Sequence, residues 1–533
     1  MHNRIITAVM TLALATAAAP LLAQSRGAAV EEVSATDLLT RLANGSTTSE
    51  ALVRAYLDRI AKLDRAGPKL RSIIALNPDA VAEAKKLDAE RKAGKLRGPL
   101  HGLPILVKDN VETLDRMPTT AGSLALKDNL TGRDAPMIAR LRAAGALILG
   151  KTNLSEWANI RSNNSSSGWS GIGGLVRNPY ALDRTSCGSS SGTGAAIAAS
   201  FAAAGIGTET DGSVVCPSSM NGLAGLKPTI GLVSRTHIVP ISHSQDTAGP
   251  MARTVRDVAL LFSSMVGSDP ADAATKGADA YARDYAATLS PDALKGVRLG
   301  VLRPEMPALL ATRYDAALAV LKKAGAELVE IKQPKLEGLG EAEGEVLHYE
   351  LKADLNAYLA STDPARVRTR SLADVIAFNK AHADRELAIF GQETFEEAEK
   401  LGGLDSPDYV AARAKSLALA RDAGIDAMLA GNRVAAIVEP SYGLPWLSDP
   451  VAGDQFSGPS ASELPAVAGY PHLSVPMGLA GGLPVGLSFI GHANSDGDLL
   501  RYGYAFEQAG KLRVAPGYAP TAPVGNALEP LEP

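Results

Sequence analysis

Between Asn159 and Gly194 the chain reads NIRSNNSSSGWSGIGGLVRNPYALDRTSCGSSSGTG, a run of serine, glycine and asparagine with the composition of a solvated linker. It passes without a spacer into AAIAASFAAAG, whose small side chains suit a helix at the centre of a tightly packed fold. IGTETDGSVVCP follows at once. A flexible tether has no place between two buried elements, so the tract is read as part of the fold.

The flanking sequence follows the alternation of an α/β protein. Thr47 and Glu50 have capping-box spacing ahead of Leu52, Tyr56, Ile60 and Leu63 on one helical face. A second helix is expected over about 78–93. GPLHGLPILVKDN, at 98–110, enters an apolar strand that ends in a lysine, Lys108. A helix over about 134–144 stops at Gly145, and ALILGK is the next buried strand. Residues from about 257 to 429 are mostly amphipathic helix, with strands at VRLGVL and AELVEI. Strand patterning returns in AAIVEPSYGLP and AVAGYPHLSVPMGLAGGLPVGLSFIG.

With 533 residues, 46% hydrophobic and 21% charged, the chain has ample material for a large core. A prior of roughly 150 residues per domain gives about three domains, a soft guide that large single-sheet enzymes exceed. A net charge of -4 without a basic run leaves no footprint for nucleic acid or an anionic membrane. The expected partner is a small or peptidic molecule. The first residues, MHNRIITAVMTLALATAAAPLLAQ, place Arg4 before an apolar stretch from Ile5 to Leu22, with Ala23 before Gln24. That is the layout of a signal peptide over residues 1–23. The strictly apolar run is shorter than the about 20 residues of a membrane span. Leu21 is not the small residue preferred ahead of a cut. The product is expected in the periplasm or outside the cell.

The only two cysteines, Cys187 and Cys216, cannot be the framework of the fold. They are read as two small buried hydrophobes rather than as a disulfide.

Amide hydrolysis requires a nucleophile, a base that takes and returns its proton, and donors for the oxyanion. None of the eight histidines pairs with a serine in a nucleophile-elbow string, and neither HExxH nor a cysteine cluster offers zinc a ligand set. Lysine becomes the candidate base. No metal or organic cofactor is expected.

GPLHGLPILVKDN, CGSSSGTGAA, GTETDGSVVCP, GLKPTIGLVSR, SQDTAGPMARTVRDVALL and AGYPHLSVPMGLAGGLPVGLSFIG, in this order, resemble the amidase signature family. Within it the likeness is to bacterial secreted peptide amidases. The resemblance implies a single large domain over 31–515, with a central mixed, twisted β-sheet covered by α-helices. It would carry a substrate-shaping helical section at about 267–430 and be followed by a tail at 516–533. It also implies a catalytic triad: Lys108 as the base, Ser189 as a bridging serine after a cis peptide bond at Gly188, and Ser213 as the nucleophile. Taken singly, Lys108 reads as a lysine capping a strand at the surface and Ser189 as a turn residue. At the family's spacing they read together as catalytic. A lysine ending an apolar strand is desolvated, which favours its neutral amine. Ser189 can accept a proton from Ser213 and donate one to Lys108. Ser190 is expected to support this network, while Ser191 stands where the family often has glycine.

The backbone N–H groups of Thr210, Asp211, Gly212 and Ser213 are the expected oxyanion hole. Asp211 replaces a common glycine; its carboxylate either turns outward or meets a substrate ammonium or amide. Val215 and Cys216 stand where several relatives carry an arginine, so no receptor for a substrate carboxylate is evident. The expected reaction is hydrolysis of uncharged-acyl carboxamides, C-terminal peptide amides included, to a carboxylate and ammonia. The alternatives are a glutaminase subunit of a tRNA-dependent amidotransferase and a non-catalytic exported binding protein on the same fold.

Overall fold

The computed structural model describes residues 29–523; the expected signal segment and residues 524–533 of the expected tail lie outside them. Thirteen strands are present among the described residues: β1 (Ile73–Leu76), β2 (Pro104–Lys108), β3 (Leu147–Thr152), β4 (Trp169–Ser170), β5 (Gly174–Leu175), β6 (Ala204–Glu209), β7 (Ala224–Lys227), β8 (Thr247–Ala252), β9 (Arg298–Val301), β10 (Glu327–Glu330), β11 (Ala436–Pro440), β12 (His472–Ala480) and β13 (Leu483–Ile490). Eleven of them form one twisted sheet in the order β1-β3-β2-β6-β8-β7-β12-β13-β11-β9-β10, and β4 pairs with β5 in a separate ribbon.

The sheet is mixed. β3, β2 and β6 are mutually parallel, as are β11, β9 and β10; the strands between run antiparallel to their neighbours. Every residue of β2, β3, β6, β7, β8, β11 and β13 is buried, so both faces are covered by helices, which explains their continuous apolar strings. The edge strands β1 and β10 are only partly buried.

Only the first four residues of the small-residue string are helical, while residues 199–203 turn and Ala204 and Gly205 open β6. The helix is Ser191–Ala198, every residue of it buried, and it begins in the serine-glycine tract. Glycine is required there because a Cβ on Gly192 would approach Ser72 O to 2.5 Å and Asn153 N to 2.7 Å. The serine-rich tract before it is folded and hydrogen-bonded to the elements around it. Ser170 Oγ donates to Asn153 Oδ1 at 2.7 Å, Gly171 N to Glu156 Oε2 at 2.7 Å, and Asn178 Nδ2 to Met220 O at 2.8 Å.

Two local expectations are corrected. The cap of the helix Ser49–Ile60 is Thr48, whose hydroxyl accepts from Ala51 N at 3.1 Å; Thr47 lies one residue too early, and Leu63 falls in a wider turn beyond the helix. Cys187 and Cys216 are bonded to each other as a disulfide, with Cα atoms 5.9 Å apart. A separation of 29 residues gives no hint of this in sequence, whereas the fold brings the two segments side by side.

The section expected to be helical contains the helices Ala308–Lys323, Leu339–Ser361 and Leu372–Ala381 among others, with β9 and β10 where two strands were expected. Residues 516–523 of the expected tail lie against the body: Tyr518 N donates to Pro179 O at 2.8 Å and Ala522 is buried.

Candidate active site

β2 and β6 are parallel neighbours, so their C-terminal ends meet at one edge of the sheet. Lys108 is the last residue of β2 and is fully buried. Its Nζ donates to Ser189 Oγ at 2.7 Å and to Thr208 Oγ1 and Thr208 O, on β6, at 2.8 and 3.1 Å. Asn110 Nδ2 donates to the same Thr208 Oγ1 at 3.0 Å. No carboxylate contacts Nζ among the described residues. Burial lowers the Lys108 pKa to about 7 despite opposing fields from Asp246 and Glu209.

Ser189 is fully buried and follows a cis peptide bond to Gly188. Ser190 lies at the entry to the helix Ser191–Ala198. Its hydroxyl donates to Thr208 O at 3.1 Å, and its N–H donates to Ser213 O at 3.2 Å. The second bond sets Ser213 beside the Lys108–Ser189 pair. The Ser213 hydroxyl makes no hydrogen bond among the described residues, and Ser213 lines a cleft. Lys108 and Ser189 are thus in direct contact, while Ser213 adjoins them through the backbone.

The turn from Thr210 to Val214 leads from β6 into the helix Val215–Met220. The N–H groups of Asp211, Gly212 and Ser213 meet no acceptor among the described residues, whereas Val214 N and Val215 N donate to the buried Glu209 carboxylate at 2.6 and 2.9 Å. Glu209 therefore anchors the far side of the turn and leaves the near side free. Gly212 has φ +79°, and a Cβ there would collide with Tyr442 Oη. Thr210 is held by its hydroxyl, which donates to Asp246 at 2.5 Å. Asp246 also accepts from Ile241 N and Ser242 N at 2.8 and 3.0 Å, and burial raises its pKa to about 6.

The cleft has a volume of about 180 Å³. Gly188, Asp211 and Ser213 line it together with the apolar Ile160, Ile241, Leu347 and Phe456. Leu347 comes from the long helix Leu339–Ser361 and Phe456 from the segment between β11 and β12. A larger cavity of about 330 Å³ adjoins it along Ala158, Thr210 and Ile241. Asp211 is exposed to solvent, yet desolvation by the protein packed around its carboxylate raises its pKa. The buried Glu343, which accepts from Gln245 Nε2 at 2.7 Å, is raised well above the usual range by burial and by the charge of Asp211.

Thr208, Asn110, Glu209 and Asp246 are site residues that sequence reasoning misses, although all four lie in or beside the strings that carry the resemblance. Their signal is motif membership without an assignable role. Glu343, Leu347 and Phe456 have no signal.

A mixed eleven-stranded sheet covered by helices, a buried Lys108–Ser189 contact and a neighbouring cleft lined by Ser213 make this an α/β protein with an enzyme-like site. Residues 51–500 match the Amidase family. A probable amidase of Arabidopsis thaliana is 38% identical over 500 residues, covering 92% of each chain. The structure of native peptide amidase from Stenotrophomonas maltophilia is 48% identical with a TM-score of 0.86, covering 91% of this chain and 99% of that one. A glutamyl-tRNA(Gln) amidotransferase component of Symbiobacterium thermophilum is 36% identical over 486 residues, covering 88% of this chain and 95% of the relative. The chain belongs to the amidase signature family and is an amide-hydrolysing enzyme.

Proposed function

We propose that this enzyme hydrolyses uncharged-acyl carboxamides, C-terminal peptide amides foremost, through an acyl-enzyme on Ser213 with Ser189 and Lys108 as a proton relay. The observation that carries the reading is the 2.7 Å contact between a fully buried Lys108 amine and Ser189, one residue from the N–H that holds Ser213.

With its pKa near 7, Lys108 is half neutral at neutral pH and offers a lone pair without a nearby imidazole. As Ser213 Oγ attacks the carboxamide carbon, its proton passes to Ser189 Oγ while the Ser189 proton passes to Lys108 Nζ. The oxyanion is received by the N–H groups of Thr210, Asp211, Gly212 and Ser213, and the Thr210 hydroxyl also holds the turn through Asp246. Collapse breaks the C–N bond, and the relay returns the proton to the departing nitrogen, releasing ammonia. Water then hydrolyses the ester by the reverse proton path. The hydrogen bond between the two serine hydroxyls, absent in this structure, would form on substrate binding, as catalytic hydrogen bonds commonly tighten there.

The apolar walls and the valine and cysteine at 215 and 216 suit an acyl group without a carboxylate, and the likeness to a peptide amidase agrees. Export to an oxidising compartment is part of the proposal: a buried disulfide fits the signal-like first 23 residues.

The test is ammonia release from C-terminal peptide amides, dicarboxylic half-amides and glutamine by the isolated chain. Preference for the peptide amides, with a fluorophosphonate adduct lost in Ser213→Ala, is expected. A preference for half-amides would overturn the substrate assignment, and a preference for glutamine would favour the amidotransferase reading. An unchanged adduct in Ser213→Ala would overturn the nucleophile.

A further inference from the structure

We propose that the Cys187–Cys216 cystine is a positioning element for catalysis: it ties the backbone that carries Ser189 to the backbone that carries Ser213, and reducing it slows hydrolysis while the protein stays folded. The proposal rests on the Ser213–Ser189–Lys108 reading above.

Both half-cystines adjoin the reacting groups. Cys187 immediately precedes Gly188 and Ser189, and its backbone lies in the left-handed region at φ +56°, which a residue with a Cβ adopts when its surroundings impose it. Its carbonyl accepts from Ser191 Oγ at the start of the helix Ser191–Ala198. Cys216 stands in the first turn of the helix after Ser213, and its N–H donates to Gly212 O at 2.8 Å, gripping the turn that carries the free N–H groups. The disulfide is therefore a covalent strut between the bridging-serine segment and the nucleophile turn.

Hydrogen bonds also join the two segments: Ser190 N to Ser213 O at 3.2 Å and Asn221 Nδ2 to Ser186 O at 3.0 Å. These and the sheet keep the segments adjacent without the strut. What the strut adds is a fixed separation, and a misplacement of about 1 Å at a reacting centre can lower a rate by roughly a hundredfold. The cystine also packs with Tyr442 and Trp446, and Cys187 lines the cleft, so a small dithiol has a route to the bridge. In that reaction a dithiol thiolate attacks one sulfur and the S–S bond breaks. Two electrons pass to the cystine, leaving two protein thiols and the cyclic disulfide of the reagent.

The experiment compares the oxidised enzyme, the enzyme reduced with dithiothreitol, and Cys187→Ala/Cys216→Ala. Peptide-amide kinetics and the fluorophosphonate labelling rate are measured well below each sample's Tm. The expected result is a fall of about tenfold to a hundredfold in kcat, with an equal fall in labelling rate and little change in KM. Reoxidation should restore the reduced sample. Unchanged kcat in folded, fully reduced protein overturns the proposal, as does unfolding of both the reduced and the double-variant protein at assay temperature, which would make the bridge a fold staple only. Ser213→Ala is the control: full activity there would sink the triad, whereas an inactive Ser213→Ala beside an undiminished reduced enzyme sinks the strut alone.

Discussion

Desolvation of Lys108 gives the proposed base a pH dependence with a definite sign. Its ordinary pKa of 10.5 falls to about 7, so the neutral base fills as pH rises through 7. The kcat for a peptide amide is expected to rise from pH 6 to pH 8 and level off; a rate that fell over this range would refute the lysine as base. Lys108→Arg keeps a fixed charge there, and a loss of about 10³-fold or more is expected. Stability carries the same signature. Between about pH 7 and 10 the unfolded chain holds the Lys108 proton and the native chain does not. The wild type should therefore gain stability with rising pH relative to Lys108→Met, by at most about 1.4 kcal/mol per unit. Denaturant titrations of both proteins at pH 7, 8.5 and 10 measure that difference. Lys108 is legible in the sequence because an apolar strand string ends on it. The role of Asp246, in SQDTAGP, is not, since nothing local shows that its carboxylate, just before β8, holds the turn after the neighbouring β6.

At the scale of elements, the helix Ser191–Ala198 and the turn after β6 are both built on glycine, for different reasons. Helix propensity alone would make Gly192→Ala stabilising by about 1 kcal/mol. The backbone atoms of Ser72 and Asn153 leave no room for its methyl group, so a net loss of about 1–3 kcal/mol is expected in chemical denaturation. Gly212→Ala meets a positive φ and the Tyr442 hydroxyl together; kcat should collapse before the fold does. Most elements are readable: β2, β3, β9, β10 and the β12–β13 hairpin lie where apolar strings and glycine stops put them. The cap of the helix Ser49–Ile60 differs from expectation by one residue because two adjacent threonines are equivalent in sequence and only backbone geometry chooses between them. The disulfide is illegible because the pairing depends on how two helices enter the sheet edge, and two cysteines 29 residues apart carry no rule for that.

Across the whole molecule the cleft is assembled from both ends of the chain and the helical middle. The lysine and both serines precede residue 216, whereas Leu347, Tyr442 and Phe456 come from regions with no diagnostic strings. That division explains why the proposed reacting groups carry a signal in the sequence and the walls do not: chemistry restricts residue type narrowly, but an apolar wall accepts any large side chain. Phe456 is 62% exposed, so Phe456→Ala should leave Tm unchanged while raising KM for amides of apolar peptides several-fold. The sheet order has a consequence for biosynthesis. Among the described strands β12 and β13 are the last made, yet they sit between β7 and β11 in the middle of the sheet. A nascent chain lacking them has two half-sheets with open borders, although it already holds Lys108, Ser189 and Ser213. The sheet can close only once this late hairpin is present, so a chain cut short before β12 is expected to show no amide hydrolysis.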